Sequence, residues 1–292
     1  MEYQNISNNS LFVRTSAVAS STVLGLCCAL GVPGNVAALV MLTQHLKDDS
    51  FTPKLMLSLA VSDLLSLIFL PVWIYALLNG WVFGQGLCKF FSYVVYWSLY
   101  SSVLSVTLLS VQRYLQVLYP QRWAKLRQKG QKWLIFGIWT LSGALGSYAL
   151  YYRNVKQKAG LLRCYQDYKN KQEKIVILLV ETLVMFFVPL FSLLCFYHRL
   201  HQRINRSASF RSQRLTKLSV RIVVAFFIFG TPAMINNLVL MAISWKSDGN
   251  VTGALFFINS CVNPFLYAFS ARTLQCRRKQ HSDQPQENLN ES

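Results

Sequence analysis

The stretch CKFFSYVVYWSLYSSVLSVTLLSVQRYLQVLYP, residues 88–120, decides the class of fold. From Phe90 to Val111 it carries no formal charge. A helix of about 20 residues, rising about 1.5 Å per residue, crosses the ~30 Å hydrocarbon core of a bilayer. We therefore predict a membrane-spanning helix with Cys88 at one mouth and Arg113 at the other. An arginine at the end of an apolar helix is costly, so we expect Arg113 to have a role.

The composition extends this prediction to most of the chain. Of its 292 residues, 53% are hydrophobic and 14% are charged, whereas soluble domains carry about 25% charged residues. A formal net charge of +18 would favour nucleic-acid binding in a soluble chain. Beside membrane spans it indicates basic segments on the cytoplasmic face instead. We predict an integral membrane protein, with membrane lipids and not nucleic acid as its surroundings.

Apolar runs recur along the chain and define seven predicted spans. They cover residues 16–43, 52–78, 90–111, 133–152, 175–200, 215–243 and 251–269. The predicted fold is an all-α membrane protein, a seven-transmembrane helix bundle over residues 16–269. A polar arm, residues 1–15, precedes the bundle, and a basic tail, residues 270–292, follows it.

The charges of the connecting segments predict the orientation. Lysine and arginine are concentrated after spans one, three and five and in the tail. The positive-inside rule then places the N-terminus outside and the C-terminus in the cytoplasm. Two sequons in the arm, starting at Asn5 and Asn8, agree with this and are predicted glycosylation sites.

One carboxylate, Asp63, falls in the middle of the second span, where a charge is expensive and indicates function. Its prospective partners are neutral oxygens of Asn35, Ser102, Asn259, Ser260 and Asn263. A carboxylate among neutral oxygens suits a hard cation such as sodium, or a proton. The alternative is a hydrogen-bonded structural cluster without an ion.

Prolines that lie within predicted spans include Pro71, Pro189, Pro232 and Pro264. A proline removes a backbone hydrogen bond and kinks its helix. The kinks predict either hinges of a molecular switch or static bends.

The motifs of all seven spans together resemble those of class A (rhodopsin-like) G-protein-coupled receptors. The matching residues are Gly34-Asn35, the LAVSD segment that ends at Asp63, Cys88, Gln112-Arg113-Tyr114, Trp139, Pro189, Tyr197, Phe226, Pro232 and Asn263-Pro264-Phe-Leu-Tyr267. The resemblance implies a plasma-membrane receptor, not an enzyme, with a heterotrimeric G protein of inhibitory type and arrestin as partners. The scattered histidines, without a nucleophile–base spacing, also argue against an enzyme.

The same resemblance assigns roles to residues. It implies a disulfide between Cys88 and Cys164 and a short amphipathic eighth helix over residues 270–279, in which Cys276 is either palmitoylated or a free thiol. It implies no cofactor other than an allosteric sodium ion, held by Asp63, Ser102, Asn259, Ser260 and Asn263. It also implies an activation switch of Gln112, Arg113, Tyr114, Pro189, Tyr197, Phe226, Pro232, Pro264 and Tyr267.

Two positions depart from the family pattern. Gln112 replaces the acidic residue usual before the arginine, so the inactive state is predicted to lack an ion pair at Arg113. Gly230 replaces the tryptophan usual two residues before Pro232. Another aromatic residue takes its place, or the ligand pocket is deeper.

The predicted outer loop, residues 153–174, is strongly basic and lies above spans rich in aromatic residues. A basic mouth attracts anions, so we predict a ligand with an anionic head and an apolar tail, a fatty-acid-derived mediator. The alternative is a loop that is basic for solubility only. Within the family, the chain resembles chemoattractant receptors for the dihydroxy leukotriene, leukotriene B4. The matching stretches are Trp81-Val-Phe-Gly, Tyr100-Ser-Ser-Val-Leu, Gly137-Ile-Trp-Thr-Leu-Ser, Tyr152-Arg153, Glu181 and Asn259 to Tyr267.

That similarity implies a set of ligand contacts. Arg153 and Lys174 would meet the carboxylate, while Tyr100 and Glu181 would bind hydroxyl groups deeper in the bundle. Tyr96 and Asn237 complete the predicted set. Two alternatives remain open: a scavenger that binds ligand without signalling, and a receptor for a peptide or another chemoattractant.

Overall fold

The computed structural model describes residues 2–44, 51–125, 128–158 and 160–207. Further along the chain it describes positions 224, 228, 230–231, 234–235, 237–238, 257–258 and 260–264. The side chains of residues 2–13 and 201–207, and those of Arg113, Tyr197 and a few other single positions, lie outside the description.

The described chain is mainly helical, with one pair of strands. Its elements are α1 (Glu2–Gln44), α2 (Phe51–Leu67), α3 (Leu70–Asn79), α4 (Gly84–Leu118), α5 (Pro120–Lys125), α6 (Gln128–Gly146), α7 (Tyr148–Tyr152), β1 (Arg153–Lys158), β2 (Leu161–Gln166), α8 (Lys171–Thr182), a π-helix (Leu183–Phe187) and α9 (Val188–Ser207).

Five helical segments of the described chain are long and apolar enough to cross a membrane. They are Arg14–Gln44, Phe51–Asn79, Gly84–Gln116, Gly130–Tyr152 and Lys171–Phe196, and they coincide with the first five predicted spans. The described positions of the predicted sixth and seventh spans are helical too. The helical membrane fold is therefore confirmed, while the count of seven and the eighth helix stay predictions.

The backbone of α1 is helical from Glu2 onward, so the described part of the predicted polar arm is continuous with the first span. The reason is local: residues 2–24 contain neither glycine nor proline, the two residues that most disfavour a helix.

Prolines alter two of the predicted spans. The second span is divided into α2 and α3 by a turn at Ile68 and Phe69, and Pro71 lies in the first turn of α3, where its missing N–H is tolerated. The fifth span contains the π-helix immediately before Pro189. Both irregularities fit the loss of one helical hydrogen bond at proline.

The predicted outer loop forms an antiparallel hairpin of β1 and β2, a strand pair that the all-α prediction missed. Arg153 pairs with Gln166 and Val155 with Cys164. The turn includes Gly160 at φ 80°, a left-handed conformation that glycine adopts without strain. We refer to the side of the bundle that carries this pair as the hairpin end.

Helix α4 packs against α2, α6, α7 and α9 and against β1, so it holds the described bundle together. Its neighbours come very near at Gly146, where an added Cβ would lie 3.0 Å from the backbone nitrogen of Trp97. Large apolar side chains such as Leu26, Trp133 and Phe191 face outward. Lipid, not water, is the solvent that such a surface requires.

Candidate functional site

A buried carboxylate, Asp63, lies at the centre of the described bundle with 0% exposure. Its Oδ1 accepts a hydrogen bond from Ser102 Oγ at 3.1 Å, and its Oδ2 accepts one from Asn263 Nδ2 at 2.7 Å. Three predicted spans, the second, third and seventh, thus meet at one side chain. The sequence identified these residues, and the structure brings them together.

A second layer of hydrogen bonds ties the first span to the same centre. Asn35 Nδ2 donates to the carbonyl oxygens of Gly31 and Ser260, both at 2.9 Å. Ser66 Oγ donates to the backbone oxygen of Asp63 at 2.8 Å, and it lies 3.4 Å from Ser260 Oγ. This network leaves the amide oxygens of Asn35 and Asn263 buried without a hydrogen-bond donor among the described residues.

These unpaired oxygens test whether the residues fit a cation. One carboxylate and several neutral oxygens are the donor set that a hard monovalent cation prefers, and buried oxygens without donors are stabilised by a positive charge nearby. The described residues therefore fit sodium. Asn259, the remaining member of the predicted set, lies outside the described residues.

At the hairpin end, the strands are fixed to the helices at several points. The disulfide Cys88–Cys164 joins α4 to β2, with Cα atoms 5.7 Å apart. Arg163 Nη1 donates to the carbonyl oxygens of Ala76 at 3.0 Å and Leu77 at 2.8 Å, near the end of α3. The backbone N–H of Trp81 donates to Leu162 O at 2.7 Å. These contacts fix the hairpin in position over this end of the bundle.

The side chain of Arg153, the first residue of β1, extends from the hairpin toward the bundle. Its guanidinium faces aromatic rings. Its Nη2 donates to Tyr96 OH at 3.2 Å, and Cζ lies 5.6 Å from the Tyr96 ring and 5.8 Å from the Trp73 ring. Burial, the largest single influence, lowers the pKa of Arg153, but the hydroxyls of Tyr96, Tyr148 and Tyr168 together outweigh it and raise that pKa above its usual value. The site is therefore permanently cationic.

The Tyr96 hydroxyl accepts hydrogen bonds from both strands of the hairpin, from Arg153 of β1 and from Gln166 of β2. Gln166 Nε2 donates to Tyr96 OH at 3.0 Å, and Tyr168 OH donates to Gln166 Oε1 at 2.8 Å. The Tyr96 ring packs on Tyr148 with centroids 5.0 Å apart. Both oxygen lone pairs of the Tyr96 hydroxyl are occupied by donors, so the guanidinium is held in one position.

Deeper in the bundle the lining is polar as well as aromatic. The carboxylate of Glu181 on α8 is buried and interacts electrostatically with the hydroxyls of Tyr96 and Tyr100 and with Arg153. The neighbouring Thr182 Oγ1 accepts a bond from Asn237 Nδ2 at 3.5 Å.

Hydrogen bonds and electrostatic interactions therefore link four predicted ligand residues: Tyr96, Tyr100, Arg153 and Glu181. Asn237 bonds the neighbour of Glu181, and Lys174 is buried one turn into α8.

The opposite end of α4 carries part of the predicted switch. Gln112 has 0% exposure, and its Nε2 donates to Thr52 Oγ1 on α2 at 2.7 Å. Tyr114 packs on Phe196 of α9 with centroids 4.7 Å apart and hydrogen-bonds Arg199, which raises the pKa of that arginine.

Several predicted residues are not placed by the described structure. The side chains of Arg113, Tyr197, Asn5 and Asn8 are outside the description, as are Phe226, Pro232, Tyr267 and Cys276 entirely. Pro189 and Pro264 are buried.

The residues of these sites that the sequence did not identify include Thr52, Trp73, Tyr148, Gln166 and Phe186. Phe186 answers the question raised by Gly230, because its Cδ2 would lie 3.9 Å from a Cβ at that position. An aromatic ring from the π-helix therefore adjoins the space where the family usually has tryptophan. The contacts of Thr52, Trp73, Tyr148, Gln166 and Phe186 join positions far apart in the chain, so no local sequence motif predicts them.

The helices around a buried polar centre define a multi-pass helical membrane protein. Residues 34–267 match the family described as "7 transmembrane receptor (rhodopsin family)", so the chain belongs to the rhodopsin family of seven-transmembrane receptors. Members of this family are plasma-membrane signalling receptors and not enzymes.

Individual relatives agree with the family. The chain is similar to leukotriene B4 receptor 1 of Mus musculus, at 33% identity over 84% of this chain and 74% of the relative. It is 31% identical to leukotriene B4 receptor 1 of Homo sapiens over 89% and 78% of the two chains. It is 29% identical to C-X-C chemokine receptor type 2 of Mus musculus over 88% and 76%.

Proposed function

We propose that this chain is a cell-surface receptor for an extracellular anionic lipid mediator, a leukotriene of the leukotriene B4 type, and that it activates heterotrimeric G proteins. Arg153 carries the proposal. It is a permanently charged guanidinium beneath the hairpin, its Nε is a buried donor without an acceptor among the described residues, and it lies above a lining of tyrosines. Such a group has a strong preference for a carboxylate.

Residues deeper in the bundle also fit a lipid ligand that carries hydroxyl groups. A carboxylate head at Arg153 would direct the rest of the ligand toward Tyr100, Glu181 and Asn237. Those side chains offer hydroxyl, carboxylate and amide groups for ligand hydroxyls within otherwise apolar walls. A chain that is apolar and carries two hydroxyl groups fits this alternation. The similarity to leukotriene B4 receptors supports the same ligand class.

The proposal includes an orientation. The hairpin end, with the disulfide Cys88–Cys164, is extracellular, where the redox environment preserves disulfides. Arg113 and Gln112 then lie at the cytoplasmic end, where the G protein, of inhibitory type, and arrestin bind. Asn5 and Asn8 are glycosylated on the outside, and removal of the glycan by an N-glycosidase tests this arm directly.

A sodium ion at Asp63 is also part of the proposal. Asp63, Ser102, Ser260 and Asn263 would hold it, together with Asn259. A bound cation would neutralise the buried carboxylate and stabilise the arrangement that joins α2, α4 and the predicted seventh span.

The deciding experiment is nucleotide exchange on the G protein in membranes from cells that express the chain, with and without submicromolar leukotriene B4. We expect a rise that Arg153→Ala reduces by about 10- to 100-fold in potency, since hydrogen bonds to charged groups contribute about 1.5–3 kcal/mol. The matched control is Lys156→Ala, which removes an exposed cation of the same strand, paired with Asp167 at 2.7 Å. Its potency should equal that of the wild type.

Other outcomes separate the alternatives. Leukotriene that binds without stimulating nucleotide exchange would identify a non-signalling scavenger. Gln112 and Gly230, which depart from the family pattern, are compatible with that result. A wild-type chain that reaches the surface and neither binds nor responds to leukotriene B4 would overturn the ligand assignment and favour a peptide chemoattractant.

A further inference from the structure

The indole nitrogen of Trp73, on α3, is a buried donor with no acceptor among the described residues. Three other indoles of the described bundle are bonded: Nε1 of Trp81 donates to Gly84 O at 2.8 Å, that of Trp97 to Trp139 O at 2.8 Å, and that of Trp139 to Ser58 Oγ at 2.9 Å. A buried N–H without an acceptor is costly. Trp73 therefore differs from these three tryptophans of the described bundle.

The neighbour of Trp73 has the same property. The Nε of Arg153 is also a buried donor that lacks an acceptor in the described structure. Its Cζ lies 5.8 Å from the centre of the Trp73 ring, so the two side chains are in contact. Arg153 Nη2 is already engaged by Tyr96 OH. Two unengaged donors, one of them charged, are thus adjacent beneath the hairpin.

The surroundings of Trp73 strengthen any bond made there. Its ring packs on Trp81 with centroids 5.3 Å apart, in a cluster that includes Ala76, Cys88 and Phe91. Such apolar neighbours exclude water, and a hydrogen bond in a low-dielectric environment is electrostatically stronger than one in water. Helix α3 begins at Leu70, just before Pro71, so Trp73 lies in its first turn, at the level of the hairpin.

We propose that the indole N–H of Trp73 is the second donor of the anion site and that it binds the ligand carboxylate together with Nε of Arg153. This inference rests on the proposed function and deepens it. A carboxylate has two equivalent acceptor oxygens, so one can accept from the guanidinium and the other from the indole. An ester carries no net charge, so its oxygens are weaker acceptors. Trp73 accordingly selects free acids over their esters.

The test compares two probes on purified surface-expressed receptor: leukotriene B4 and its methyl ester. The variant Trp73→Phe keeps an aromatic ring against Arg153 and removes the N–H. Incorporation of benzothienylalanine at position 73 keeps the full indole shape and removes only the N–H. The matched control is Trp133→Phe, at an outward-facing tryptophan that is 69% exposed.

We expect both changes at position 73 to weaken binding of the acid at least tenfold and to change binding of the ester by less than twofold. Trp133→Phe should leave both affinities unchanged. A double variant, Arg153→Ala with Trp73→Phe, should lose less than the product of the two single losses, because both donors act on one carboxylate.

The outcomes separate the role of Trp73 from the proposed function. A wild type that binds leukotriene B4, with benzothienylalanine at position 73 binding it equally well, overturns the role of Trp73 and leaves the proposed function standing. Equal losses for acid and ester also overturn it, because they indicate a packing role only. A wild type that binds neither probe overturns the proposed function, and the role of Trp73 with it.

Discussion

The amide nitrogen of Gln112 lies 2.7 Å from the hydroxyl oxygen of Thr52 and joins α4 to α2 at full burial. The position usually carries an acid in this family, and here it makes a neutral hydrogen bond to another helix. Gln112 Oε1 remains buried without a donor among the described residues. This neutral bond adds to the apolar packing of Leu55 and Leu59 of α2 against Val106 and Leu109 of α4.

Removing the acceptor should destabilise the protein. Thr52→Val leaves the amide of Gln112 buried and unpaired, with an expected loss of about 1–3 kcal/mol in unfolding free energy. Thr52→Ser keeps the hydroxyl and serves as the control. Thermal unfolding in detergent measures both, and a Thr52→Val protein as stable as Thr52→Ser would show that the bond contributes nothing.

Charge at position 112 should control basal signalling. Gln112→Glu introduces a carboxylate next to Arg113, and an ion pair there would favour the inactive arrangement. We expect lower ligand-independent nucleotide exchange than in the wild type at equal surface expression. Basal exchange that stays the same or rises in Gln112→Glu would mean that the neutral residue does not set the resting state.

Sodium should stabilise the receptor through Asp63. A ligand at ten times its Kd stabilises a folded protein by about 1.4 kcal/mol, so replacing potassium chloride by sodium chloride at equal ionic strength should raise the unfolding temperature. Asp63→Asn should abolish the difference. Ser98→Ala is the control, because Ser98 Oγ bonds only within its own helix, to Val95 O at 2.8 Å. An unchanged sodium response in Asp63→Asn would refute the site.

The two basic residues of the hairpin should differ in their effect on stability. Arg163→Ala removes two charge-assisted bonds to carbonyls at the end of α3, with an expected loss of about 2–4 kcal/mol. Lys156→Ala removes an exposed ion pair with Asp167 and should change the unfolding temperature little. Equal effects of the two changes would contradict the fixed attachment of the hairpin.

Replacement of glycine by alanine should have opposite effects on the unfolding free energy at positions 230 and 146. Gly230→Ala should raise the unfolding free energy by about 0.5–1 kcal/mol, because glycine disfavours helices and a Cβ there would lie 3.9 Å from Phe186. Gly146→Ala should lower it, because a Cβ would lie 3.0 Å from the backbone of Trp97. Melting curves of the two variants, measured side by side, decide the matter.

Sequence alone predicted the membrane class, five spans that the structure describes and the cluster around Asp63. These features rest on apolar runs and on fixed local motifs, which are visible in the chain itself. The hairpin was not predicted, because its strands are short and polar, without the alternation that marks a strand.

Side-chain partners were the least predictable part of the site. Gln166 and Thr52 contact residues that are 70 and 60 positions away. Their roles depend on how helices meet, and no spacing within a single helix encodes that. Trp73 could be recognised only after the bonds of the other tryptophans were known.

The interruption between α2 and α3 gives the second crossing a joint. Asp63 lies on one side of the turn at Ile68 and Phe69, and Trp73 lies on the other. Any rotation at Trp73 must therefore pass this turn before it reaches Asp63. If an anion binds beside Trp73 and a cation binds at Asp63, Ile68 and Phe69 lie on the path along the chain that joins the two sites.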